Sequence, residues 1–248
     1  MVELNELAFL FVVGGIAGFV DAIAGGGGLL SIPALLWTGM SPIQAIATNK
    51  LQASMGSFTA TANYIRHGMV SPRELRFAVL MTLLGAMTGA ILVQRLPNAW
   101  LETLVPVMLI LIALYFLFSK NIDLEKGRQR LSLGAFSVVI GFTVGFYDGF
   151  FGPGTGSFFT IAFVLLLGYG LQRAIGGTKL LNFTSNVVSL GVFILSGHIL
   201  WLAGMVMGAG QILGSYLGSR MAIRHGGKLI RPMLVTVSIL MSLKLLLE

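Results

Sequence analysis

The stretch "GFVDAIAGGGG", Gly18 to Gly28, sets Asp21 just ahead of four consecutive glycines inside strongly apolar sequence, and "GFYDGFFGPG", Gly145 to Gly154, repeats the arrangement. A shift of 127 lays Gly14, Gly18, Phe19, Asp21, Gly25 and Gly27 on Gly141, Gly145, Phe146, Asp148, Gly152 and Gly154. A shift of 129 lays Gly39, Ala45, Ile46, Lys50 and Leu51 on Gly168, Ala174, Ile175, Lys179 and Leu180. The same shift carries Gly68, Leu84, Gly85, Gly89 and Arg95 onto Gly197, Leu213, Gly214, Gly218 and Arg224. Apolar coincidences are common in such a chain, but matched Asp and Lys pairs are not. The chain is read as two copies of one unit, a first repeat over 1–119 and a second over 131–248. Residues 120–130, polar and charged, link them.

The 248 residues are 56% hydrophobic and only 10% charged, and the mean hydropathy is +0.90. Soluble domains carry about 25% charged residues, so little here could cover a water-facing surface. Runs such as 77–93, 104–118 and 229–247 approach the roughly 20 residues that cross a bilayer. The expected fold class is an all-α polytopic membrane protein. A transmembrane β-barrel would show short alternating segments instead. Each repeat reads as five hydrophobic segments: 7–24, 29–39, 43–65, 74–94 and 101–119, then 132–150, 156–169, 172–196, 199–219 and 229–247. The second of each set is short, which predicts a broken or re-entrant helix beside each glycine motif.

Charge sets the expected orientation. The loop 66–76 holds Arg66, Arg73 and Arg76 against Glu74, whereas its equivalent near 195–205 holds no charge. The loop 95–102 holds Arg95 and Glu102, whereas its equivalent, 220–231, holds Arg220, Arg224, Lys228 and Arg231 with no acid. Basic residues collect in cytoplasmic loops. The swap between equivalent loops therefore predicts inverted-topology repeats with an odd number of crossings each. Lys120, Lys126, Arg128 and Arg130 then lie in the cytoplasm and both termini outside. The formal net charge of +7 is read the same way, with the lipid bilayer as partner and no nucleic acid. The opening "MVELNEL" lacks the basic start of a signal peptide, so the first apolar run is expected to be retained.

Most charged residues fall in loops or at ends, as Arg173 and Lys244 do. Asp21, Lys50, Asp148 and Lys179 do not. A charge near the bilayer centre costs about 2.5–3.5 kcal/mol on insertion scales, so partners or a polar cavity are expected. Either these residues form ion pairs that lock the fold, or they face a central substrate path. The glycines favour the path. A run such as "AGGGG" or "GPGTG" frees backbone groups that are tolerated at membrane depth where protein buries them or a cavity solvates them. Pro153 adds a break. A helix restarting there offers free N–H groups and the positive end of its dipole, and two such ends with two lysines would suit an anion. The following helices are polar at a similar depth. Asn49 with Lys50 and Thr178 with Lys179 are the preferred ligands, and Asn182, Thr184, Ser185 and Asn186 add donors. Asp21 and Asp148 are the candidate coupling residues, for H⁺ or Na⁺. Lys50→Ala or Lys179→Ala is expected to abolish anion binding while leaving folding intact.

Cysteine is absent, and His67, His198 and His225 are not repeat equivalents, so no metal site is expected. No G-x-S-x-G, H-E-x-x-H or Walker A pattern occurs. The chain is read as a non-enzyme without a cofactor. The Gly-x-x-x-Gly pairs Gly14–Gly18, Gly85–Gly89 and Gly214–Gly218 are assigned to tight helix packing within the chain, and a homodimer is left as a candidate assembly.

The segments "GFVDAIAGGGGLLSIPALLWTGMSPIQAIATNKLQ" (18–52), "GFYDGFFGPGTGSFF" (145–159) and "AIGGTKLLNFTSN" (174–186) resemble the TauE/SafE family, also called the sulfite exporter or toluene-sulfonate uptake permease family. The resemblance covers nearly the whole chain. It implies an inner-membrane transporter of small sulfur-containing anions such as sulfite, sulfoacetate and other organosulfonates, with some members exporting and others importing. It places substrate binding at Gly25, Gly26, Gly27 and Gly28, at Asn49 and Lys50, at Gly152, Gly154, Thr155 and Gly156, and at Thr178 and Lys179. Asn182 joins them on its position. A secondary transporter is the leading reading. An anion channel, a permease for carboxylates or other oxyanions, and a non-transporting receptor are its competitors.

Overall fold

A computed structural model describes residues 3–118 and 128–225. Residues 119–127, most of the linker, and 226–248, with the tenth segment and Lys244, lie outside the described residues. Those described form nine helices: α1 (Leu4–Ala24), α2 (Gly28–Trp37), α3 (Pro42–Arg66), α4 (Arg76–Val93), α5 (Asn98–Phe118), α6 (Leu133–Phe150), α7 (Thr155–Leu167), α8 (Leu171–Ser196) and α9 (Trp201–His225). Among them are no strands. Helices α1, α4, α6 and α8 are long and apolar enough to cross a membrane. Helices α3 and α9 are 25 residues each, about 37 Å at 1.5 Å per residue, but more polar.

Local sequence explains the boundaries. Glu3 and Glu6 form a capping box at the start of α1. Ser41 and Gln44 do the same for α3, with Pro42 in its first turn, where its missing N–H costs nothing. Ser132 caps α6 by accepting from the Ala135 amide, and a π-helical turn over Ser137–Gly141 interrupts that helix. Chain reversals fall on glycines with positive φ, and these recur at repeat-related places: Gly25 and Gly152, Gly39 and Gly168, Gly68 and Gly197.

The short segments are real helices of half-membrane length. Helix α2 has 10 residues and α7 has 13, about 15 and 20 Å against a hydrocarbon core of about 30 Å. The backbone groups freed at the breaks find side-chain donors. Tyr64 donates to the Ala22 carbonyl and Ser157 to that of Ala24. Tyr147 donates to the Pro153 carbonyl and Thr155 to that of Gly152. Irregular backbone inside a membrane protein requires such partners.

Packing is reciprocal between the halves. Helix α1 lies against α9, and its repeat counterpart α6 lies against α4. Glycine allows both approaches: a Cβ on Gly14 or Gly18 would stand 2.2 or 2.4 Å from the Met207 or Gln211 carbonyl oxygen. A Cβ on Gly214 would stand 1.9 Å from the Gly15 oxygen, and one on Gly85 or Gly149 would stand 2.2 or 2.0 Å from that of Phe142 or Ala86. The Gly-x-x-x-Gly pairs thus serve packing within the chain. Helices α3 and α8 lie against each other between these two pairs; α8 packs on helices of both, and α3 packs on α1 and α9 and reaches α6 through the Lys50–Asp148 bond.

One end of the molecule carries an exposed clasp. Arg173 bonds Glu74 at 2.5 Å, Tyr169 donates to the same oxygen at 2.8 Å, and the guanidinium lies 4.0 Å from the Tyr169 ring centre. The repeat-equivalent positions, Gln44, Ala203 and Met40, carry no charge, and Ala203 and Met40 pack in an apolar cluster. Burial pushes the Glu74 carboxyl up, but the hydrogen bonds from Tyr169 and Arg173 and the guanidinium charge hold it below its ordinary value. Burial and then the bond to Glu74 push the Tyr169 phenol up to about 12, so it stays a donor. A depressed carboxyl stabilises the fold above its unfolded pKa and loses that contribution as pH falls through the folded value. The Arg173 and Glu74 side chains are 52% and 37% exposed, which limits the pair to about 1 kcal/mol. Glu74→Gln is expected to lower the thermal midpoint slightly at neutral pH and to match the unmodified protein in acid, read by melting across pH.

Candidate functional site

The two glycine motifs meet at the centre of the described fold. A Cβ on Gly25 would stand 2.4 Å from the Gly156 carbonyl carbon, one on Gly156 2.5 Å from the Gly25 Cα, and one on Gly28 3.0 Å from the Pro153 Cα. The break after α1 and the start of α7 therefore touch backbone to backbone, and only glycine permits this approach. Gly27 and Gly154 are the N-cap residues of α2 and α7. Gly26 faces open space. Among the described residues, no carbonyl accepts from the first-turn amides of Gly28, Gly156 and Ser157.

The four buried charges form two ion pairs, each joining one half to the other. Lys50 bonds Asp148 Oδ1 at 2.9 Å, and Lys179 bonds Asp21 Oδ2 at 2.9 Å. Each ammonium also donates to the main-chain carbonyl of its aspartate, a carbonyl close to a helix C-terminus where cations are favoured. Lys50 is fully buried and Lys179 nearly so. Ser185 donates to the second oxygen of Asp148. Its repeat-equivalent position is Gly56, and no described side chain donates to the second oxygen of Asp21.

A cavity of about 20 Å³ lies among these elements. Asp21, Gly25, Gly28, Asn49, Gln52 and Ala53 border it from the first half, and Asp148, Gly152, Gly156, Asn182, Asn186 and Gln211 from the second. It has room for a water-sized species. The carboxylates border it, while the lysines are held behind them. Thr178 bonds Thr160 at 3.0 Å and, with Gly26, Gly27, Gly154 and Thr155, is not among the lining residues. Asn49 Oδ1 lies 2.6 Å from both the Ser31 hydroxyl and Gln52 Nε2, and Asn186 donates to Asn182 Oδ1 at 3.0 Å.

Sequence reasoning passed over Gln211. Its signal was available: it is the lone amide among the apolar and small residues of "WLAGMVMGAGQILGSYLG" (201–218). Tyr64, Tyr147 and Ser157, which satisfy the broken backbone, were also missed. They look like ordinary residues of apolar segments until the carbonyls they reach are known.

A core of apolar helices, with broken helices and paired charges at its centre, is the architecture of a polytopic membrane transporter, and similarity agrees. The family profile described as "Sulfite exporter TauE/SafE" matches residues 10–245. The chain is 50% identical over 247 residues to the "Probable membrane transporter protein YfcA" of Escherichia coli (strain K12), across 99% of this chain and 91% of that one. It is 46% identical over 244 residues to a "Probable membrane transporter protein" of Haemophilus influenzae, across 98% and 96%. It is 25% identical over 268 residues to YunE of Bacillus subtilis, a "Probable membrane transporter protein", across 98% of each. No solved structure matches it. The chain belongs to the TauE/SafE family of membrane transporters.

Proposed function

We propose that this transporter moves a small sulfur-containing anion, such as sulfite, sulfoacetate or another organosulfonate, across the cytoplasmic membrane, coupled to an ion gradient. The observation that carries the reading is the convergence of the α2 and α7 N-termini on one cavity beside two buried Lys–Asp pairs. Helix N-termini with unbonded amides suit oxyanions. The lysines become available to an anion when the carboxylates are neutralised or move, and this links anion entry to the charge state of Asp21 and Asp148.

The repeats 1–119 and 131–248 are read as inserted in opposite senses, with 120–130 cytoplasmic and both termini extracytoplasmic. Alternating access then comes from rocking of the α1/α9 pair against the α4/α6 pair about the central α3 and α8. Each moving unit contains helices of both halves. A cavity of about 20 Å³ is smaller than an organosulfonate, which favours a gated carrier over an open channel.

The test is a thermal-shift screen of purified protein against sulfite, sulfate, thiosulfate, taurine, sulfoacetate and carboxylates, followed by uptake into proteoliposomes. A ligand at one hundred times its Kd stabilises by about 2.7 kcal/mol. Saturable stabilisation by sulfite or a sulfonate, above that by carboxylates, is expected, with gradient-driven uptake of the same compound. Stabilisation by carboxylates alone would reject the sulfur-anion assignment.

A further inference from the structure

We infer that the acceptor-lined side of the central cavity is a binding site for one alkali cation, Na⁺, held by Asp21, Gln52 and Gln211. The inference rests on the transporter reading above and identifies its coupling ion.

Three oxygens carry it. Gln52 Oε1 and Gln211 Oε1 are buried without a hydrogen-bond partner among the described residues, and both residues border the cavity. Gln52 is fully buried and Gln211 is 2% exposed. A buried amide oxygen without a partner has given up its hydrogen bond to water with no replacement, so two at one cavity require an account. The third oxygen is the Asp21 carboxylate atom that Lys179 does not bind. The Gln52 amide is oriented by its own donation to Asn49, which leaves its oxygen as the free atom.

The three residues converge through the packing of α1, α3 and α9. Gln52 and Gly56 are four residues apart and so share one face of α3. A Cβ on Gly56 would stand 2.2 Å from Gln211 Cγ, and one on Gly208 3.5 Å from the Gln52 Cα. Gly18, one turn before Asp21 on α1, sits against the Gln211 backbone. Each of the three groups brings an oxygen acceptor, and the Gln52 amide nitrogen is already committed to Asn49. Hard cations take such oxygen ligands, whereas an anion would be repelled.

The repeat-related set, built around Asp148, lacks the two amides. Leu181 and Thr82 occupy the repeat positions of Gln52 and Gln211, and Ser185, whose counterpart is Gly56, satisfies Asp148. The Asp148 side chain is 2% exposed and that of Asp21 is 11%. One cation site is therefore expected, not two. Charge balance agrees. Asp21, Asp148, Lys50 and Lys179 sum to zero, so an anion entering alone would leave the membrane interior charged, and a cation entering with it would not.

The test uses the full-length protein, purified in choline chloride without substrate, and titrates NaCl against KCl while following the thermal midpoint and the binding of radioactive Na⁺. Saturable stabilisation by Na⁺, with one ion bound per chain and no response to K⁺, is expected. Gln52→Met and Gln211→Met keep side-chain volume, and each should weaken Na⁺ at least tenfold. Glu74→Gln, at the exposed clasp away from the cavity, should leave Na⁺ affinity unchanged. Na⁺ that neither binds nor stabilises, or binding unaltered in both Gln variants, overturns the inference. So does a cavity that responds to pH alone. Because no sulfur anion is present in this assay and chloride is common to both titrations, its failure is separate from failure of the sulfur-anion screen, and uptake driven by a proton gradient would then keep the transporter reading while removing the Na⁺ site.

Discussion

Lys179→Met is expected to destabilise the folded protein by about 3–5 kcal/mol, the cost of leaving a buried charge without its partner. The ammonium it removes holds both a carboxylate oxygen and the carbonyl of Asp21, and the aspartate has little access to water. The double variant Asp21→Leu/Lys179→Met should recover most of that loss, because exchange of a whole buried pair for apolar groups is often near neutral. Transport should be absent in both. The thermal midpoint in detergent separates stability from function, and a single variant as stable as the unmodified protein would show that the pair is not buried in the membrane. Lys50→Met and Asp148→Leu/Lys50→Met should behave alike. The expectation that a lysine could be removed without disturbing folding is thereby revised. These ammonium groups are bonded into the fold through Asp148 and Asp21.

Gly25→Ala is expected to cost about 2–5 kcal/mol, and its neighbour Gly26→Ala almost nothing. Gly25 has φ +80°, a left-handed conformation that costs an alanine roughly 1–2 kcal/mol. Its new Cβ would also meet the Gly156 backbone at 2.4 Å. Backbone cannot swing aside as a side chain can, and overpacking adds about 1–3 kcal/mol. Gly26 has neither constraint: nothing lies within 4 Å of its Cβ position. Folded yield and thermal midpoint of the two variants test the contrast. Equal effects would mean that the motif supplies general flexibility instead of one close contact.

Sequence patterning conveyed the helical membrane fold well, because twenty-residue apolar runs have few alternatives. The repeat was legible through Asp21, Asp148, Lys50 and Lys179, whose types are too rare in apolar sequence to match by accident. The short helices followed from the glycine motifs and Pro153. What the repeat did not disclose was the crossing of partners. A shift of 127 or 129 residues says that Asp21 and Asp148 are equivalent, but not that Asp21 belongs to Lys179 and Asp148 to Lys50. That choice depends on how α1 lies on α9 and α6 on α4, which is a matter of glycine faces set by tertiary approach. The cavity lining was only partly legible for the same reason. Asn49 and Asn182 were named, while Gln211 sits 190 residues from Asp21 and meets it only through that packing.

The crossed partnership has a bearing on how the protein is made. A ribosome delivers Asp21 and Lys50 to the bilayer well before Asp148 and Lys179 exist. Until the later half arrives, two embedded charges must wait in lipid or in the insertion machinery without their mates. The first five segments are therefore a poor candidate for an autonomous intermediate. Assembly is drawn to completion by neutralisation of the early charges as each late helix is handed over, so quality control could recognise an unfinished chain by the ions it still exposes.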